Sequence, residues 1–186
     1  MKINSDRGSE ILAPPCIILL DNGSRRAAST KNLRHLAEGL SKKEKRDIHP
    51  VSLLHSDKVA PSELNGEPAQ ILEPFLLSKL SEGVNNFLIL PLFFGKTAAV
   101  YEYIPQRLEV IRNDYPNVSV QLASCLVKLE SESDHSMAKI LARLVRDKVS
   151  VEGLTRPGVI LVDHGTPRIS VNKVRNLVSR QLREEL

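Results

Sequence analysis

Residues 16–30 read CIILLDNGSRRAAST. An apolar run, Cys16 to Leu20, ends in the polar turn Asp21-Asn22-Gly23-Ser24 and opens into a segment with helical spacing. Asn-Gly between two strands would mark a tight hairpin. Here a helical period follows, so the stretch reads as a strand, a short turn and a helix, the first half of a βαβ unit.

The pattern continues along the chain. Strands are predicted at Cys16–Asp21, His49–His55, Phe87–Phe94, Val118–Cys125 and Val159–Asp163. Helices are predicted at Ala28–Lys45, Pro68–Glu82, Val100–Asn113, Asp134–Lys148 and Val171–Glu184. In the second helix Ile71, Leu72, Phe75, Leu76 and Leu80 recur at three- and four-residue steps, giving one apolar face. Such alternation implies an α/β fold, a mainly parallel sheet with helices on both faces. Ligands then bind outside the carboxyl ends of the strands. That rule gathers Asp21–Arg26, His55–Lys58, Gly95–Tyr101 and Cys125–Lys128 on one rim. Pro91 fits poorly, because proline inside a strand marks an edge or a bulge.

The opening stretch also recurs. IILLDNGSRRAASTKNLRHLAEGL from Ile17 aligns with VILVDHGTPRISVNKVRNLVSRQL from Val159. Ile18, Leu19, Asp21, Gly23, Arg26, Lys31 and Leu40 meet Ile160, Leu161, Asp163, Gly165, Arg168, Lys173 and Leu182. The sequence therefore divides into a tail at 1–10, a module at 11–152 and the start of a second copy at 156–186. One strand and one helix cannot bury a core of their own. Either the chain is a truncated two-module protein, or the last unit docks on the first module or on a partner.

The totals agree with one domain plus a fragment: 186 residues, 41% of them hydrophobic, with no Trp. A net charge of +4 with scattered Lys and Arg argues against nucleic acid and suits an anionic small molecule. Cys16 and Cys125 lie in apolar runs without a C-x-x-C, which reads as buried thiols in a reducing cytosol. No apolar run approaches the ~20 residues of a membrane span. The start MKINSDRGSE is not a signal peptide. These features predict a cytoplasmic protein.

The turn residues carry the candidate chemistry. Gly23 lets backbone approach a ligand, Ser24 or Ser29 would cap the helix, and Arg25 and Arg26 suit an anion. In the second copy His164 replaces the counterpart of Asn22, and an imidazole at a strand end can ligate a metal or move a proton. His55 is expected on the same rim. His35, His49 and His135 read as surface or packing residues. Lys96 and Arg107 would line an anionic pocket around LPLFFGKTAAVYEYIPQRL. That stretch lacks the glycine spacing of a phosphate loop, since only Gly95 precedes Lys96.

Taken together, LLDNGSRR, LPLFFGKTAAVYEYIP and LVDHGTP resemble the sirohydrochlorin chelatases, the class II enzymes that place cobalt, iron or nickel into a tetrapyrrole. The resemblance runs from about Ile11 to the end of the sequence. It implies a chelatase-like, Rossmann-like three-layer fold with a four-stranded sheet, in which a proline such as Pro91 is ordinary. It implies an anionic tetrapyrrole as substrate, Co or Fe (Ni as a third candidate) as the metal substrate, no redox cofactor, and a place in cobalamin or siroheme biosynthesis. It also implies two histidines, one in the first turn and one in the loop after strand three. Their positions fall here on Asn22 and Ala99, so the first module is degenerate. The first-turn histidine survives as His164, the expected base and metal ligand, with His55 as a second metal candidate. Asn22, Gly23, Ser24, Arg25, Arg26, Lys96 and Arg107 are the expected tetrapyrrole contacts. Homodimerisation, or pairing with a second chelatase-like module, would complete the unit. The alternative is a non-catalytic module that holds a tetrapyrrole or supports a partner chelatase. An anion-binding or phosphotransfer enzyme using the first turn is the third reading.

Overall fold

A computed structural model describes residues 14–95, 97–163 and 169–186. Four parallel strands, β1 (Cys16–Asp21), β2 (Ile48–Ser52), β3 (Asn86–Pro91) and β4 (Ser119–Leu122), form one sheet in the order β2-β1-β3-β4. The helices are α1 (Ala27–Glu44), α2 (Leu72–Ser81), α3 (Ile104–Asp114), α4 (Ser136–Val151) and α5 (Ile169–Glu185). Short 3₁₀ turns at Ser56–Lys58 and Pro61–Leu64 follow β2, and a π-helical turn at Ala99–Tyr103 leads into α3.

The strands alternate their side chains between two layers. Ile18, Leu20, Phe87 and Ile89 face α2 and α3, where Phe75, Leu76, Ile104 and Leu108 close the larger core. Ile17, Leu19 and Ile48 face α1 through Leu33 and Ala37. The expected three-layer α/β fold is therefore present. Arg34 holds the crossover after β2 against α1, donating to the carbonyls of Leu64, Glu67 and Pro68 at 3.2, 2.8 and 3.1 Å.

Pro91 is the last residue of an internal strand. Leu92 N–H donates to the Leu20 carbonyl at 2.7 Å, toward β1. By alternation, the nitrogen of residue 91 faces β4, whose register with β3 ends at Ile89–Leu122. Proline, which lacks an N–H, therefore stands just past the last registered β3–β4 pair.

Several predicted boundaries shift. β2 stops at Ser52 rather than His55, and β3 stops at Pro91 rather than Phe94. β4 spans four residues within the predicted Val118–Cys125. α2 begins at Leu72 rather than Pro68, because the Gln70 carbonyl accepts from Ser52 N–H in an extended stretch before the helix. Beyond these strand ends single backbone bonds continue, from Leu53 to Asp21, Leu92 to Leu20 and Leu126 to Phe93, without the regular ladder.

The larger correction is the fifth strand. Val159–Asp163 forms no strand, and Ile160 and Val162 are 84% and 77% exposed. β1 and β3 already pair on both sides, and the segment joins neither edge of the sheet. The helix of the repeated unit does dock. Val174, Leu177 and Val178 of α5 pack with Val127 and, from α4, Met137 and Leu141. Gln181 Nε2 donates to the carbonyls of Glu132 and Asp134, and His135 meets Glu185 at 2.9 Å. On the other side of α4, Ile140 and Leu144 stay exposed.

α5 also presses on the loop after β3. A Cβ on Gly95 would lie 2.5 Å from Val174 Cγ2. Gly95→Ala is expected to destabilise the protein by about 2 kcal/mol through overpacking. Adding Val174→Ala should recover part of that loss, and a double-mutant cycle in urea measures the coupling.

Candidate functional site

The first turn is held from below by the loop after β2. Leu53 N–H donates to the Asp21 carbonyl at 2.8 Å and Leu54 N–H to the Asn22 carbonyl at 3.3 Å. Gly23 sits at φ +82°, and a Cβ there would fall 1.7 Å from the Leu54 carbonyl oxygen. The close backbone approach at Gly23 is thus to the protein itself.

The turn amides are spoken for within the fold. Ser24 N–H donates to Ser56 Oγ at 3.1 Å, and Ser56 Oγ donates to Ser52 Oγ at 2.8 Å. The Ser52 hydroxyl and the Gly23 amide both bond the Asp21 carboxylate. Arg26 N–H donates to Ser24 Oγ at 3.1 Å. Neither Ser24 nor Ser29 is the N-cap of α1: that position is Arg26, without a side-chain cap. Burial pushes the Asp21 carboxyl above its ordinary value, against hydrogen bonds from the Ser52 side chain and from the Gly23 and Asp21 backbone that lower it. Its Oδ1 has no hydrogen-bond partner.

The strand order places a reversal between β1 and β3, the crevice where such sheets bind ligands. A cavity of about 670 Å³ lies there. Asn22 forms one side, the loop from Leu92 to Ala99 another, and α5 with Leu161–Asp163 the third. Its walls are mostly apolar, with Phe94 half exposed and the Thr97 hydroxyl unpartnered. Ala99 opens the π-helical turn, a distortion found preferentially at functional sites.

A family model for CbiX matches residues 16–148. The chain belongs to the CbiX family. Membership points to a chelatase-like role connected with cobalamin biosynthesis. Among solved structures, the chain is similar to a cobalamin (vitamin B12) biosynthesis CbiX protein, so named, from Marinobacter aquaeolei VT8. The two are 22% identical, the match covers 75% of this chain and 97% of that one, and the TM-score is 0.49. No curated protein matches.

Within this CbiX chain the expected site residues are scattered. Asn22 and Ala99, the two positions where histidines were expected, border the same cavity. Arg25 and Arg26 are exposed at the start of α1 and are not among the cavity walls. Arg107 is engaged elsewhere: its Nε donates to Glu73 at 2.9 Å, tying α3 to α2. His55 is exposed at φ +68°, next to the Leu54 contact and off the cavity. Lys96 and His164 lie outside the described residues. Among the described residues no group of three His, Cys, Asp or Glu is placed to hold a metal. His49 packs against Phe75 with ring centroids 5.2 Å apart, and burial lowers its pKa, as suits a packing residue. Sequence reasoning missed Ser52 and Arg175, and it placed Ser56 and Thr97 on the rim without giving either a role. The serines carry no periodic signal, and the other two acquire meaning only when α5 meets the β3 loop.

Gly23→Ala is expected to cost about 3 kcal/mol, the upper part of the ordinary range, since backbone must move to admit the methyl. Chemical denaturation measures it. Asp21 supplies a pH test. Its raised pKa means the folded state keeps a proton that the unfolded state has lost, so stability falls as pH rises through that window. Asp21→Asn removes this dependence. Melting curves from about pH 4 to 7 should show wild type losing ground to the variant as pH rises.

Proposed function

We propose that this chain binds an anionic tetrapyrrole in the crevice between β1 and β3, as part of inserting a divalent metal on the route to cobalamin or siroheme. The observation that carries the reading is that Asn22 and Ala99, distant in sequence, border one cavity at the family's ligand rim. Cobalt and iron are the first candidates for the metal substrate and nickel the third.

Insertion exchanges two pyrrole N–H protons for one metal ion. It calls for a nitrogen ligand for the metal and a base with a pKa near neutrality. A carboxamide at Asn22 can donate or accept a hydrogen bond but is a poor base, and the Ala99 methyl does neither. The first module therefore holds the macrocycle without completing the exchange. His164 is the imidazole that would take the proton and meet the metal. A second reading, a non-catalytic tetrapyrrole holder or chelatase partner, is favoured by the same two substitutions. The first-turn anion reading loses support, because the Gly23, Ser24 and Arg26 amides already have acceptors in the protein.

Absorbance spectroscopy with sirohydrochlorin and cobalt separates these readings. Binding should shift the tetrapyrrole spectrum with wild type. The double variant Asn22→His, Ala99→His should accelerate cobalt insertion by roughly 10²-fold over wild type, the scale of a placed acid–base group. A slow wild-type insertion abolished by His164→Ala would assign the remaining activity to the second unit. A wild-type spectral shift with no acceleration in any variant would leave the holder reading standing alone. No spectral shift at all would end the tetrapyrrole proposal.

A further inference from the structure

The helix of the repeated unit does not reproduce its counterpart's packing. In the gap-free alignment that pairs Ile18 with Ile160, the buried α1 positions Leu33 and Ala37 fall on Arg175 and Ser179. Leu33 is 3% exposed and packs under the sheet. α5 instead buries Val174, Leu177, Val178, Gln181 and Leu182, so its apolar face is rotated relative to that of α1. The rotation puts Arg175 on the wall of the cavity that also holds Asn22 and Ala99.

Arg175 and Asp163 are the charged residues along the described walls. They face each other loosely: Arg175 Nη1 is 3.5 Å from both carboxylate oxygens of Asp163, while Nε and Nη2 donate to the exposed Asn176 Oδ1 at 3.3 and 3.1 Å, contacts that an incoming carboxylate would replace. A close guanidinium–carboxylate pair is shorter, about 2.7–2.9 Å. Phe94 and the unpartnered Thr97 hydroxyl lie along the same cavity. An apolar slot lined by Phe93 and Phe94, with a hydroxyl and a guanidinium, suits a flat apolar ring system bearing a carboxylate at its edge.

We propose that Arg175, supplied by the repeated unit, is the residue that binds a peripheral carboxylate of the tetrapyrrole in this cavity, and that Asp163 competes with that carboxylate for it. The inference rests on the tetrapyrrole reading and adds a specificity-determining residue outside the first module. It also gives the repeated unit a function that requires no second sheet. The guanidinium matches a carboxylate with two parallel N–H donors, which a lysine cannot reproduce.

The test uses the full chain with two probes, uroporphyrin III, which carries peripheral carboxylates, and etioporphyrin, which carries none. Affinities are read by porphyrin fluorescence titration. Arg175→Ala should weaken uroporphyrin binding at least ~10-fold, the effect of losing a hydrogen bond to a charged group. Etioporphyrin binding should be unchanged. Arg175→Lys should recover only part of the loss, and Arg107→Ala should change neither probe. Asp163→Asn should tighten uroporphyrin binding, the opposite sign from Arg175→Ala, and Arg175→Gln repeats the test if the alanine variant fails to fold. Equal weakening of both probes, or no change with uroporphyrin, overturns the role of Arg175 while the tetrapyrrole reading stands. Failure of wild type to bind either porphyrin overturns both.

Discussion

The approach of Gly23 to the Leu54 carbonyl is the constraint on which the site depends. It brings the turn after β1 and the loop after β2 into backbone contact, closer than any side chain permits. The serine chain from Ser24 through Ser56 and Ser52 to Asp21 then pairs most of the polar groups around this contact, leaving Asp21 Oδ1 without a partner. Ser52 and Ser56 are fully covered, so their hydroxyls must find partners inside the protein. With the turn locked from beneath, Asn22 is left on the β1–β3 crevice. A rigid support below and an open crevice above is what a site needs from its scaffold.

That arrangement also changes the meaning of the glycine. A glycine in a strand-to-helix turn suggests a backbone poised over an anion. Here the amides that would form such a cradle are turned inward, and the polar work of the turn is structural. The crevice gains its chemistry from elsewhere: the loop after β3, the π-helical turn beginning at Ala99, and a helix from the repeated unit. α5 closes the crevice on one side and contributes a cation there, while Gly95 makes room for Val174. α5 is fastened to the loop after β4 by Gln181 and to α4 by an apolar seam.

Much of the fold was legible because it follows from periodicity. The four strands, the five helices and their alternation come from apolar spacing, which is local information. Their ends were less legible. Where a strand stops depends on its pairing with neighbours far along the chain, and past the ends of β2, β3 and β4 only isolated backbone bonds remain, which apolar spacing does not encode. Val159–Asp163 shows the same principle at its limit. It has the composition of a strand and aligns with β1, yet a strand needs a neighbour to pair with, and among the described residues no strand pairs with it.

The amino-acid sequence by itself determined the family, the parallel α/β class and the absence of imidazole at positions 22 and 99, because each resides in residue identity or in local order. Tertiary structure alone decided that Asn22 and Ala99 share a cavity, that Arg107 is held by Glu73 rather than facing that cavity, and that Arg175 borders it. The physical reason is that a cavity is a relation between surfaces. A helix whose apolar stripe is rotated relative to its repeat turns a core position into a site position, and no single segment carries the information about which surface it will meet.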